Sequence, residues 1–281
     1  MIIDFHTHVF PDTLAPAALA ILQQRADLTP AYDGTVSGLH AAMARGGVAK
    51  SVIQPVASKA SQVRSINDWL APLGDGQLVP FGAMHPDLAD PDAELERLAS
   101  AGFAGFKLHP EYQSFCPDET RLEPLYAAAA KRRLVVFFHA GKDVGLPSVH
   151  SDPETFARIL DRFPELTVVL AHMGGWQQWQ EVTRHLVGRP VYLETSFTMS
   201  YLGERRFCEL IESHGAQKVL FGSDGPWADV ASEVERLSSL PLPEEAREDI
   251  LWRNAARLLD GSRQWEDGSS PSRGTSQTTP R

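Results

Sequence analysis

Short apolar runs recur along the chain, and each ends in polar residues or in a turn that contains glycine. Most are apolar at successive positions, as expected of parallel strands that helices cover, whereas half-exposed antiparallel strands alternate. Eight such runs occur, at Ile2–His6, Ser51–Pro55, Leu78–Met84, Gly105–His109, Leu134–His139, Thr167–His172, Val191–Thr195 and Val219–Asp224. The pattern therefore predicts eight parallel strands.

Helical patterns fill the spacers between these runs. Examples are Leu95–Ala101, Leu122–Lys131 and Phe156–Phe163, the last preceded by the start signals Asp152 and Pro153. The first connection, Val9–Lys50, is the longest, and it predicts an extra helix over Pro16–Gln24, placed to act as a lid, before a helix over Val36–Arg45.

Eight β-α units predict an α/β protein, a single-domain (β/α)8 TIM barrel over residues 1–261. A doubly wound open sheet is the alternative, but it usually has fewer strands and a G-x-G-x-x-G motif after the first, which this sequence lacks there. Residues 262–281 contain few apolar side chains and predict a disordered tail.

Composition narrows the class of partner. The chain has 281 residues and a net charge of −10, and no long Lys/Arg run is present to hold nucleic acid or an anionic membrane. Two distant cysteines and the absence of an export signal favour the cytoplasm. A small-molecule substrate is expected, and the chain is compatible with a homodimer.

The first strand closes in His6-Thr7-His8. Side chains alternate along a strand, so both imidazoles project from one face, about 7 Å apart along the backbone. His139, His172 and Asp224 also stand at the C-terminal ends of predicted strands, where barrel enzymes carry their catalytic groups. Imidazole and carboxylate are ligands that Zn²⁺, Mn²⁺ and Fe²⁺ accept, so the sequence predicts a metal centre.

These motifs resemble the amidohydrolase superfamily, and more closely its amidohydrolase-related branch, which includes aminocarboxymuconate-semialdehyde decarboxylase-like proteins. The resemblance extends over residues 1 to about 260. It is carried by the D-x-H-x-H-x-x-P opening from Asp4 to Pro11 and by the segments Phe138–Gly141, Ala171–Gly175, Phe221–Trp227 and Asn254–Leu259.

The resemblance implies that His6, His8, His139 and Asp224 hold the metal. His172 would lie beside it, either assisting proton transfer or ligating a second ion, and Lys107 is the candidate for a carboxylated lysine that bridges two ions. One ion is favoured over two, with Zn²⁺ as the expected metal and Mn²⁺ or Fe²⁺ as alternatives.

A mechanism follows from such an ion. A divalent metal lowers the pKa of bound water from about 15.7 towards 7 and polarises a carbonyl group. Asp224 would act as general base, and His172 would stabilise or protonate developing charge. Substrate-binding candidates at the predicted mouth of the barrel are His85, Lys107, His109, Tyr112, Trp176 and Trp227.

The leading hypothesis is a hydrolase of an amide, lactone or ester, and the alternative is a non-oxidative decarboxylase of an aromatic or unsaturated carboxylic acid. The compact chain favours the hydrolase, as does the lack of an arginine beside the metal motifs to hold a carboxylate. Arg25 and Arg64 remain candidates to reach the site from elsewhere in the chain and hold a carboxylate. A metal-binding protein without turnover and a metal-dependent phosphoesterase are ranked lower.

Overall fold

The computed structural model describes residues 1–263. Nine strand segments lie within these residues: β1 (Ile3–Thr7), β2 (Lys50–Ile53), β3 (Leu78–Pro80), β4 (Gly82–Ala83), β5 (Gly105–Leu108), β6 (Val135–Phe138), β7 (Val168–Leu170), β8 (Tyr192–Glu194) and β9 (Val219–Leu220). The α-helices of this part of the chain are α1 (Ala15–Ala26), α2 (Val36–Gly46), α3 (Val63–Leu70), α4 (Pro91–Ser100), α5 (Pro110–Gln113), α6 (Glu123–Lys131), α7 (Pro153–Arg162), α8 (Trp179–His185), α9 (Met199–Leu202), α10 (Glu204–His214), α11 (Val230–Ser238), α12 (Glu244–Glu248) and α13 (Asn254–Arg263).

The strands form a closed parallel barrel. Strands β1 to β3 pair in sequence order, and β4 to β9 do the same. Strands β3 and β4 are two halves of the third predicted strand, separated at Phe81. Hydrogen bonds from Phe5 N to Phe221 O (2.8 Å) and from Asp224 N to His6 O (2.7 Å) join β1 to the segment after β9 and close the ring. The (β/α)8 barrel predicted from the sequence is confirmed.

Alternate strand residues build two apolar layers. The phenyl rings of Phe5, Phe81 and Phe137 pack together in one cluster, with centroids 5.6 Å and 6.3 Å from Phe5, and residues of α13 contribute to the same cluster. Phe138, the next residue, belongs instead to the larger cluster formed with the surrounding helices. The His6 ring lies 4.8 Å from the Phe137 ring, so the cluster of Phe5, Phe81 and Phe137 packs against the metal-ligand candidate His6.

The helices predicted in the long first connection are both present, as α1 and α2. Two hydrogen bonds close the ends of the segment that contains α1. Phe10 N donates to Gly34 O at 2.8 Å, and Tyr32 Oη donates to His8 O at 2.9 Å. Helices α4, α6 and α7 match the three other predicted helices.

The C-terminal helix α13 continues to Arg263, two residues into the predicted tail, and the rest of that tail, residues 264–281, lies outside the described residues. None of the helices that the structure describes is long and apolar enough to cross a membrane.

Candidate metal centre and active-site cavity

The side chains singled out at the C-terminal strand ends lie together at one mouth of the barrel. Asp224 Oδ1 lies 3.3 Å from His6 Nε2 and 2.9 Å from His8 Nε2. His139 Nδ1 lies 3.2 Å from His172 Nε2. One ligand atom each from His6, His172 and Asp224 falls within 4.8 Å of the other two. The five residues therefore form one cluster of nitrogen and oxygen donors.

The ring nitrogens of His139 and His172 that point away from the cluster have hydrogen-bond partners, and these partners determine which tautomer each histidine adopts. His139 Nε2 faces Lys142 O at 3.1 Å, and His172 Nδ1 faces Ser196 O at 3.2 Å. A carbonyl oxygen only accepts, so each of these nitrogens carries the proton of the neutral ring, and the other nitrogen presents a lone pair. His139 Nδ1 and His172 Nε2 thus direct lone pairs at each other, an arrangement that a cation stabilises.

Burial keeps these imidazoles neutral, as ligation requires. Desolvation lowers the pKa of His6 and of His139 well below the usual value, and it lowers the pKa of His172 to about 4. His6 Nδ1 lies 2.9 Å from the Glu194 carboxylate, while His6 Nε2 is buried without a hydrogen-bond partner. An orphaned buried acceptor is costly, and a metal ion removes that cost. The residues fit a divalent cation.

Glu194 is a functional residue that the sequence analysis missed. It ends β8, is fully buried, and accepts hydrogen bonds from Ser196 N (2.5 Å) and Ser196 Oγ (2.9 Å). Burial raises the pKa of Glu194 to about 8. A Cβ atom on Gly222 would stand 2.2 Å from Glu194 Oε1, so only glycine leaves room for this carboxylate. Glu194 orients His6, as partners of metal-bound histidines commonly do.

Asp4 orients the segment that carries Asp224, as Glu194 orients His6. The buried Asp4 carboxylate accepts from Ser223 N at 2.9 Å and from Ser223 Oγ at 2.5 Å, directly before Asp224. His172 and Asp224 both adopt left-handed backbone conformations, with φ of 57° and 62°. Such conformations are uncommon outside glycine and cluster at functional sites, in agreement with the placement of these two residues.

A cavity of about 700 Å³ opens beside the cluster. His6, His8, His139, His172 and Asp224 all line it. Five of the predicted substrate-binding residues line it as well, namely Lys107, His109, Tyr112, Trp176 and Trp227. Much of the remaining wall is apolar and comes from the α1 excursion and from α3.

His85 is the exception among the predicted substrate-binding residues. It is buried, but it is not among the described residues that line the cavity. His85 Nδ1 accepts a hydrogen bond from Asp87 N at 3.1 Å, so the side chain closes the turn around Pro86. The structure does not bring His85 into the described lining of the cavity, and its assignment to substrate binding stays a prediction.

Lys107 points into the cavity from β5. Its ammonium nitrogen lies 4.2 Å from the centre of the Phe137 ring, and desolvation lowers its pKa to about 7 against the opposing effect of Asp224 and Glu194. Lys107 is therefore protonated only in part near neutral pH, and its protonated form can pair with an anion.

His109 and Asp143 are further polar residues in the lining of the cavity. The His109 and His139 rings stack in parallel, 4.2 Å apart, and Asp143 Oδ2 lies 3.6 Å from His109 Nε2. Burial raises the pKa of Asp143 to about 6.

Comparison with known proteins assigns this chain to a family. The model of the amidohydrolase family matches residues 3–261, and the chain belongs to that family. A sequence search of curated proteins finds no match. The resemblance stated from the motifs, to the amidohydrolase superfamily and its amidohydrolase-related branch, is confirmed.

Solved structures share the fold at low sequence identity. An uncharacterised TIM-barrel protein from Bordetella bronchiseptica is 24% identical, with a TM-score of 0.75 over 93% of this chain and 99% of that one. The 5-carboxyvanillate decarboxylase of Sphingomonas paucimobilis is 20% identical, with a TM-score of 0.72 and coverage of 92% and 98%. A dihydroxybenzoic acid decarboxylase from a Polaromonas species, solved with manganese and 2-nitroresorcinol, is 17% identical, with a TM-score of 0.69 and coverage of 92% and 96%.

Proposed function

We propose that the protein is a metal-dependent decarboxylase of an aromatic or unsaturated carboxylic acid. The observation that carries this proposal is the charge of the cavity. On a chain of net charge −10, the lining contains three basic residues, Arg25, Lys142 and the partly protonated Lys107, but only the two carboxylates Asp143 and Asp224. A bound divalent ion adds further positive charge, so the cavity attracts an anion.

The shape of the cavity supports the same substrate class. Aromatic residues stand beside the polar cluster, with Tyr112, Trp176, Phe197 and Trp227 in the lining. Flat apolar walls with a few polar groups at one end suit a planar ring whose acid group faces the metal ligands.

Two sequence arguments favoured a hydrolase, namely the compact chain and the lack of an arginine beside the metal motifs. Neither of them separates a hydrolase from a decarboxylase. Chain length does not separate the classes, because the alignment with the 5-carboxyvanillate decarboxylase covers 98% of that chain. An arginine is also available, since Arg25 lines the cavity, although Arg64 is not among the described lining residues. Similar structures that are named as decarboxylases add support for the alternative.

His6, His8, His139 and Asp224 would hold the ion, with His172 as the nearest further donor. When bound, a divalent metal supplies charge neutralisation and orientation for the carboxylate and for an adjacent oxygen of the substrate. We favour one ion per chain. The nitrogen-rich donor set suits Zn²⁺, Mn²⁺ or Fe²⁺, and the manganese in the Polaromonas enzyme makes Mn²⁺ the first ion to test.

The reaction replaces a carboxylate with hydrogen. The bond between the substrate carbon and the carboxyl carbon breaks, CO₂ leaves, and the electron pair that remains on the substrate carbon takes up one proton. Asp224 faces the cavity and carries that proton to the substrate carbon. This proton comes from solvent: His172 Nε2, which presents a lone pair, takes it up and passes it to Asp224, while the protonated form of Lys107 binds the anionic substrate.

Release of CO₂ tests the proposal. The full-length protein loaded with Mn²⁺ or Zn²⁺ is incubated with hydroxybenzoic acids and unsaturated acids, and CO₂ and the decarboxylated product are measured together. We expect both in equal amounts, and we expect neither after chelation of the metal or in Asp224→Asn.

The same preparation is assayed with esters, lactones and amides. Hydrolysis of these substrates, with no CO₂ from any of the acids, would contradict the proposal and would favour the hydrolase hypothesis instead.

A further inference from the structure

Two polar side chains in the cavity lining face each other without forming a hydrogen bond. His109 follows β5, Asp143 lies in the loop after β6, and both line the cavity. His109 Nε2 lies 3.6 Å from Asp143 Oδ2, beyond hydrogen-bond distance, although the two side chains are only 9% and 12% exposed. Among the described residues, neither atom has a side-chain hydrogen-bond partner. A ligand that fits between the two atoms would satisfy both.

The N-terminus of α5 fixes the hydrogen-bond group that His109 presents. His109 Nδ1 accepts from Tyr112 N at 3.3 Å, so this nitrogen carries the lone pair of the ring and Nε2 carries the proton. The side chain of Gln113 holds the same turn in place, because it accepts from His109 N at 2.9 Å and donates to two backbone carbonyl oxygens. His109 Nε2 is thus a fixed hydrogen-bond donor at the cavity wall.

A buried carboxylate fixes the loop that carries Asp143. Glu111 of α5 accepts from His150 N at 2.7 Å and lies 2.9 Å from His150 Nδ1, which ties the far end of the loop to α5. Within the loop, Asp143 Oδ1 accepts from Gly145 N at 2.7 Å, and the other oxygen, Oδ2, faces His109. Asp143 Oδ2 is thus a fixed acceptor opposite the fixed donor.

The same groups could instead hold a second cation, because His139 also faces Asp143, with Nε2 4.0 Å from Oδ2. The tautomers are incompatible with this. His109 Nε2 carries a proton, and so does His139 Nε2, which donates to Lys142 O at 3.1 Å. A ring nitrogen that carries a hydrogen has no lone pair for a metal. A ligand at this place must accept from His109 and donate to Asp143.

The separation of the two atoms selects the kind of group. With hydrogen bonds of about 2.8 Å to both atoms, the angle at a single hydroxyl oxygen would be about 80°, well below the tetrahedral angle. Two neighbouring atoms fit better. In a primary amide or a lactam, the carbonyl oxygen and the N–H lie side by side in one plane, so each faces one of the two protein atoms. A carboxylate has no hydrogen to donate, and Asp143 would repel it.

We propose that His109 and Asp143 determine specificity by binding a neutral amide edge of the substrate, with its carbonyl oxygen accepting from His109 Nε2 and its N–H donating to Asp143 Oδ2. The substrate is then a carboxylic acid that also carries a primary amide or a lactam. The His109 ring stacks on the ring of the metal-ligand candidate His139 at 4.2 Å, so the amide edge lies beside the metal centre and leaves the centre to the carboxylate. This assignment of the substrate class rests on the proposed function for the reacting end.

A purely structural role for the two residues makes a different prediction. His109 would serve only as the N-cap of α5, and Asp143 only as the acceptor that holds its own turn. Asparagine performs both tasks, because its short side chain offers an oxygen to the same backbone N–H groups. His109→Asn and Asp143→Asn would then leave ligand binding and the melting temperature unchanged.

Pairs of probes with the same shape test the proposal. Binding of 3-carbamoylbenzoate and 3-acetylbenzoate, and of the corresponding 4-substituted pair, to the Mn²⁺-loaded full-length protein is measured by calorimetry. The amide and the methyl ketone have nearly the same size, but only the amide donates a hydrogen bond. The buffer is mildly alkaline, so that Asp143 is ionised, since burial raises its pKa only to about 6.

The variants are His109→Asn, His109→Gln and Asp143→Asn, and the melting temperature of each is measured as well. The matched control is Asp75→Asn. Asp75 Oδ1 accepts from Gln77 N at 2.9 Å, the same contact with the second residue along the chain that Asp143 makes. Asp75 is exposed and is not among the described lining residues.

We expect the wild type to bind at least one of the amides about tenfold or more tightly than the matching ketone, as a hydrogen bond to a charged acceptor predicts. Asp143→Asn should abolish this preference, because the new amide group places a donor opposite the N–H of the probe. Asp75→Asn should match the wild type.

His109→Asn should weaken the amide and the ketone alike, by about tenfold, because both lose the donor to their carbonyl oxygen, while the melting temperature stays close to that of the wild type. His109→Gln should show the opposite pattern. Its longer side chain can place an N–H near the position of Nε2 and so retain part of the binding, but it loses the cap and lowers the melting temperature.

No preference for either amide in the wild type would overturn the proposal, and so would a preference that survives Asp143→Asn. Two ions in the wild type and one in Asp143→Asn would identify a cation site instead. The readout is binding, so it is independent of turnover. An amide preference that depends on Asp143, without CO₂ release from any acid, would refute the proposed function and leave this specificity pair standing. CO₂ release with no effect of His109 or Asp143 on binding would do the reverse.

Discussion

Replacement of His6 with alanine is expected to abolish binding of the divalent ion and, with it, all measurable turnover. His6 Nε2 is buried without a hydrogen-bond partner among the described residues, and Asp224 Oδ1 lies 3.3 Å from it. Removing one of so few ligands leaves the coordination incomplete. Metal content per chain, measured by mass spectrometry after dialysis, should fall from about one ion to near zero.

The fold should survive this change. Glu194 loses the His6 contact but keeps both of its Ser196 donors, so the expected loss of stability is about 1–3 kcal/mol. His40→Ala is the control, because His40 is half-exposed and its ion-pair partner among the described residues is the exposed Asp75, at 3.7 Å. A His6→Ala/His8→Ala double variant with wild-type metal content would refute the metal centre.

Substitution of His172 with asparagine should lower turnover by roughly 10² to 10⁴ while about one ion per chain is retained. The residue is buried, its Nδ1 is committed to Ser196 O, and its Nε2 faces the cluster as a proton acceptor. Turnover and metal content are measured on the same preparation. Normal turnover would remove the proton-transfer role.

A loss of metal in His172→Asn would instead identify the residue as a ligand, because one of its nitrogens already lies within 4.8 Å of donor atoms from His6 and Asp224. Lys107→Ala provides the cross-check. If a carboxylated Lys107 bridged two ions, this variant would lose metal, and added short carboxylates would restore activity. With one ion, metal content should be unchanged.

Much of the architecture was predictable from the chain because parallel strands covered on both faces are continuous apolar runs. Every predicted strand is present, and the third is divided only at Phe81, whose amide still bonds to the neighbouring strand at Ile53 O, 3.0 Å away. The clustering of His6, His8 and Asp224 was predictable for a related reason, since all C-terminal strand ends of a barrel meet at one mouth.

The structure places Glu194 and His85 differently from what this reasoning expected. The sequence analysis missed Glu194, although an acidic residue inside an apolar run that predicts a buried strand was a signal that could have identified it. His85 follows a strand as the cavity-lining candidates do, and only its hydrogen bond from Asp87 N reveals that it closes a turn. That Arg25 rather than Arg64 lines the cavity depends on how α1 folds back over it, which local sequence patterns do not specify.

The most direct test of the account is a crystal structure of the protein grown with Mn²⁺, with anomalous diffraction used to locate and count the ions. The account predicts one ion per chain, bound by His6, His8, His139 and Asp224, with Lys107 unmodified. An ion-free cluster in protein that releases CO₂, or two ions bridged by a modified Lys107, would contradict it.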